Sequence, residues 1–132
     1  HDLVELLLAE FPLLSTHAYG SFVVQCLLRN IADKQRIRLL DLVEQHLSEL
    51  ALRSHGCTVI CAALVHGDSM TRCILAEMLL EDRDRIAFMV DSKHGDTLIS
   101  NLLDVLECAG YQRLLALLEG NPKFEAALQR RS

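Results

Sequence analysis

Three segments of the chain superpose on a glycine, and this internal repeat constrains the fold more than any other feature. The segments are 17–28, 53–64 and 92–103, anchored on Gly20, Gly56 and Gly95, which stand 36 and 39 residues apart. Three and four residues after each glycine come Val23-Val24, Val59-Ile60 and Leu98-Ile99. Seven and eight after come Leu27-Leu28, Ala63-Leu64 and Leu102-Leu103, and six before come Leu14, Leu50 and Met89. This spacing predicts a short helix with a two-residue-wide apolar stripe, entered through a glycine turn. One such unit cannot bury both faces of its helices, so it must stack on neighbours. Three units predict a short right-handed or near-flat α-solenoid.

The rest of the chain supports an all-α class. In 33–47 the apolar positions Ile37, Leu40, Val43 and Leu47 recur every three or four residues among charged ones. Residues 72–80 are apolar apart from Arg72 and Glu77, as expected of a helix between two neighbours. Gly110 and Gly120 are read as turns bounding a helix, and Asn121-Pro122 as the cap and first residue of another running through Leu128. No stretch alternates at period two. The expected division is one repeat domain: repeat 1 over about 1–32, repeat 2 over 33–67, repeat 3 over 68–107, and a C-terminal capping helix within 108–132. The three extra residues of the second spacing are assigned to the polar stretch 81–84. The chain starts without an initiator methionine, as expected of a piece of a longer protein.

Composition removes several classes. With 51% hydrophobic residues the chain is not of the disordered type. No apolar run approaches the about 20 residues of a membrane span, and the first residues carry acids and no basic leader. Five cysteines at irregular spacing argue against a disulfide framework and for an intracellular, reducing compartment. The formal net charge of −5 runs against non-specific nucleic-acid binding, which draws its affinity from neutralised phosphates. No third of the chain forms a basic patch.

The run Tyr19-Gly20-Ser21-Phe22-Val23-Val24-Gln25 resembles the Pumilio (PUF) repeat family at every position. The repeat length of about 36 residues fits as well. The resemblance implies three helices per repeat, with the second helices lining a concave face that reads one base of single-stranded RNA per repeat. It implies that Ser21 and Gln25, four apart on one helix face, would hydrogen-bond a base edge while Phe22 stacks on its plane. In the family such a pair favours adenine. In the second repeat Cys57 takes the first edge position, with Thr58 and Cys61 as weak companions. The third has Asp96, Thr97 and Ser100, where a carboxylate would repel phosphate. Arg29, Arg53 and Lys93 are expected near the path of the RNA backbone.

Other chemistry is discounted. His55, Cys57, Cys61 and His66 fall within twelve residues, but His66 lies about half a turn round the helix from Cys57, so no zinc site is expected. Cys26 with His17 lacks a third catalytic partner, and Asp96, Asp104 and Glu107 read as a solvated face. The glycines stand singly, without a phosphate-cradling loop. No enzyme activity, cofactor, metal or small-molecule substrate is therefore expected. Two functions fit: a PUF-like module contacting single-stranded RNA in post-transcriptional regulation or RNA processing, or a degenerate helical-repeat scaffold binding protein partners in a larger, ribonucleoprotein-type complex.

Overall fold

The computed structural model describes residues 9–131, with the side chains of Pro12 and Leu13 left aside. The first eight residues of the expected first repeat lie outside this range. Among the described residues every regular element is an α-helix: α1 (Phe11–Ser15), α2 (Ala18–Asn30), α3 (Asp33–Gln45), α4 (Leu47–Ala51), α5 (Ser54–His66), α6 (Ser69–Leu80), α7 (Arg83–Asp91), α8 (Gly95–Val105), α9 (Cys108–Leu117) and α10 (Pro122–Arg131). The helices stack as an α-solenoid. The inner row runs α2 on α5 on α8. Behind it, the shorter helices α1, α4 and α7 each pack on the inner helix that follows them. The first helices α3 and α6 occupy the outer side, α9 packs against α6, and α10 closes the end on α7 and α8.

The apolar stripe of the repeat is the core. Val24, Leu28, Val59, Ile60, Ala63, Leu64, Leu98, Ile99 and Leu102 are all buried. At roughly 1.5–3 kcal/mol for each fully buried aliphatic side chain, stacking holds the array together, because helices this short are marginal alone.

Two of the anchoring glycines lie inside helices, and only Gly95 follows a turn, donating from its N–H to Ser92 O at 3.1 Å. Gly20 and Gly56 are the third residues of α2 and α5, and Gly95 is the first of α8. All three have negative φ, because Gly120 is the one described residue at positive φ (83°). What they provide is room. A Cβ on Gly20 would overlap the carbonyl oxygen of Leu14, one on Gly56 that of Leu50, and one on Gly95 that of Val90. The backbone of each short helix therefore crosses directly over the glycine of the next. In the third unit the crossing partner is Val90, five residues before the glycine, where Leu14 and Leu50 stand six before theirs.

Gly110 differs from its expected role in the same way. It is buried within α9, where a Cβ would stand 2.8 Å from Leu106 Cδ2 and 3.3 Å from Glu77 Oε2. Gly120 does turn the chain, and the side-chain oxygen of Asn121 then accepts from Lys123 N at 3.0 Å and Phe124 N at 3.1 Å. This is the expected cap, with Pro122 opening α10. The added length of the second spacing goes chiefly into a helix and not a loop. Asp82 caps α7, accepting from Arg85 N at 3.1 Å, and α7 has nine residues where α4 has five.

Two arginines at matching positions tie successive units together. Arg36, three residues into α3, donates from Nε to Leu28 O at 2.9 Å and from Nη2 to Ile31 O at 2.8 Å. Arg72, three residues into α6, donates from Nε to Leu64 O at 2.6 Å. Both side chains satisfy carbonyls in or just beyond the last turn of the preceding inner helix, which no intrahelical donor reaches. Arg72→Ala is expected to lower stability by about 1.5 kcal/mol, as for a lost charge-assisted hydrogen bond. An unchanged urea midpoint for that variant would show the contact to be idle.

Candidate nucleic-acid interface

The inner row presents one open face. On α2 the exposed side follows Phe22, Gln25 and Arg29, at intervals of three and four residues. Phe22 is 59% exposed, a large cost for a ring with no ligand. Beside it a groove of about 270 Å³ crosses from α2 over α5 to α8, lined among others by Gln25, Arg29, Thr58, His66, His94 and Asn101. Gln25 donates from Nε2 to Thr58 Oγ1 at 2.8 Å, and Thr58 in turn donates to His55 O at 2.6 Å. That chain orients the amide of Gln25, whose carbonyl oxygen is left as an acceptor.

Ser21 and Cys57 sit behind this face. Each is only 2% exposed. Ser21 Oγ donates to Ala18 O at 3.0 Å, and Cys57 Sγ to Ala51 O at 3.5 Å. The position one after the glycine is buried in the first two units, where Ser21 bonds within its own helix and Cys57 reaches the preceding short helix. The position two after lines the groove in the second and third units, as Thr58 and Thr97, and Gln25, Arg29, His66 and Asn101 line it further along the three helices. Of the residues expected on this face, Phe22 is exposed and Gln25 lines the groove, whereas Ser21 and Cys57 are packed behind it. Burial pushes the Cys57 thiol up to about 11 and the Cys61 thiol up to about 12. Both remain protonated at neutral pH, the inert state of a packed cysteine.

The electrostatics also differ from those of the sequence as a whole. None of the described residues lining the groove is acidic. Burial, then the guanidinium groups of Arg29 and Arg36, hold His66 below the ordinary histidine range. Burial, then Lys93, His55 and Lys123, do the same for His94. Cations therefore cluster at both ends of the groove. The acids lie elsewhere, several in ion pairs: Asp96 with Arg130 at 2.9 Å, Asp104 with Arg131 at 3.0 Å, Asp33 with Arg36 at 2.8 Å, and Glu77 with Arg113. Asp96 was expected to repel phosphate, but the arginine brought over by α10 neutralises it. Sequence reasoning missed His66, His94 and Lys123 as neighbours of this face. For His94 the signal was the histidine that precedes the anchoring glycine in the second and third units, His55 and His94; His66 and Lys123 had none.

The model of the Pumilio-family RNA binding repeat matches residues 11–43. That span contains α1, α2 and most of α3, including Phe22, Gln25 and Arg29. Among solved structures, the chain is similar to PUF-8 in complex with PBE-RNA, at a TM-score of 0.76 and 14% sequence identity. The alignment covers 98% of this chain and 41% of that one, so the chain spans about two fifths of its length. At that identity the likeness concerns the fold. No curated protein matches the sequence.

Proposed function

Residues 11–43 being a Pumilio-family repeat, we propose that the chain is a module that binds single-stranded RNA along α2, α5 and α8, within post-transcriptional regulation or RNA processing. The observation that carries this reading is the acid-free groove flanked by cations on a chain whose net charge is −5. A sequence-independent attraction for phosphates needs such a local field, not a basic protein. Phe22 is the proposed stacking platform and Gln25 the edge reader, with Ser21 and Cys57 packed beneath as support. A reducing compartment suits the five unpaired cysteines.

The test is fluorescence anisotropy with a labelled oligoadenylate. Phe22→Ala is expected to weaken binding by about 1–3 kcal/mol, with Gln25→Ala weaker by about 1 kcal/mol. If neither substitution shifts the dissociation constant, base contact by this face is wrong. A second reading rests on the outer row, where Ile37 on α3 is 56% exposed and Met70 on α6 is 71% exposed. Exposed aliphatics there suit a scaffold that engages protein partners in a larger assembly.

A further inference from the structure

Both ends of the groove are built alike: a histidine stands at each, with permanently charged side chains next to it. At one end His66, the last residue of α5, faces Arg29 from α2 across the groove. Its other side borders a second hollow, lined by Asp33 and Arg36 of α3 and by Asp68, while Arg72 of α6 reaches the same helix end. Arg36 already holds Asp33, and the Asp68 carboxylate borders this second hollow and not the groove, so on its groove side His66 meets Arg29 and no acid. At the other end His94 lies just before α8. Its Nε2 is 3.2 Å from Ser54 Oγ, which leaves Nδ1 for a ligand. His55 of α5, Lys93 beside it and Lys123 of α10 surround it, with Lys123 donating to Ser92 O. The nearby acids are engaged, Asp96 by Arg130 and Asp91 by Asn121 at 3.2 Å.

We propose that these two ends are phosphate stations, Arg29 with His66 and His94 with Lys93 and Lys123, and that an arriving RNA backbone makes both histidines take up a proton from solvent. The inference rests on the RNA-binding reading and adds a proton linkage to it. In the free protein, burial and neighbouring cations keep both imidazoles neutral at neutral pH. A phosphate dianion or diester placed between each imidazole and its cations reverses the local field, and the histidine takes a proton from solvent. The complex then holds more protons than its separated parts. By linkage, affinity rises as pH falls through the histidine range and levels off well above it. Phosphate contacts carry no base information, so this part of the binding is independent of sequence.

The experiment uses a labelled oligouridylate, whose bases do not titrate in the relevant window, with anisotropy followed from about pH 8 to about pH 6. Affinity is expected to rise about tenfold over that interval at constant ionic strength. The double variant His66→Gln/His94→Gln is expected to bind with a flat pH profile. The imidazole NMR signals of the wild type are expected to titrate at higher pH with the oligonucleotide than without it. Binding that ignores pH, or imidazole titrations unmoved by RNA, would overturn the linkage while leaving RNA binding standing. Binding of oligoadenylate but not of oligouridylate would overturn the sequence-independent stations. Failure to bind either strand at every pH would end both readings together.

Discussion

Gly56→Ala is expected to lower stability by about 3 kcal/mol, with a thermal midpoint about 10 °C below the parent. A single methyl group has this effect because its obstacle is backbone. The added Cβ would overlap the carbonyl oxygen of Leu50, with the α-carbon of the same residue at 2.7 Å. Leu50 is itself fully buried in α4, so relief would need the short helix to lift off α5. Gly120 supplies the control. It has φ of 83° and nothing within 4 Å of an added Cβ, so its constraint is conformational. Gly120→Asn is expected to be nearly neutral, because asparagine tolerates the left-handed region, and Gly120→Ala to cost about 1 kcal/mol. Gly56→Asn recovers nothing. Differential scanning calorimetry of the four variants separates the two causes, and equal midpoints for Gly56→Ala and the parent would refute the close crossing.

Ile60→Ala is the second large effect, at about 3 kcal/mol. Ile60 is fully buried on α5, the helix that touches α2 and α4 on one side and α6 and α8 on the other. The hole left there weakens two inter-unit contacts at once. In a linear array stability is close to a sum of unit and nearest-neighbour contributions. Loss at the central helix should therefore separate the halves, and urea unfolding is expected to broaden or split. Phe22→Ala, by contrast, removes an exposed ring and should leave the midpoint within about 0.5 kcal/mol of the parent. A sharp, unshifted transition for Ile60→Ala would mean that the units do not lean on α5.

The repeat, the all-α class and the buried stripe were readable because stacking imposes a period, and period survives in one dimension. Val24, Ile60 and Ile99 could be placed in the core on that ground alone. The meaning of the glycines was not readable. A turn and a close crossing both demand glycine, and only the three-dimensional approach of Leu14 or Leu50 distinguishes them. The burial of Ser21 and Cys57 was hidden for a related reason. The second row of short helices, five residues each in α1 and α4, is too brief to show a period. The groove's charge was hidden most thoroughly. Arg29 and His66 are 37 residues apart in the chain, and Asp96 and Arg130 are 34 apart, so composition averages over pairings that stacking makes local.

The arginine contacts at the unit junctions give the array a direction. Arg36 and Arg72 each complete the inner helix that comes before them, so the first two units borrow their final hydrogen bonds from their successors. Removing units from the front strands no carbonyl, whereas cutting behind α2 or α5 strips a helix end of its donor. At the matching place in α9 stands Tyr111, which carries no guanidinium. The molecule thus behaves like an arch laid from one side, each course locked by the one placed after it. C-terminal trimming should loosen the neighbouring unit more than N-terminal trimming of equal length.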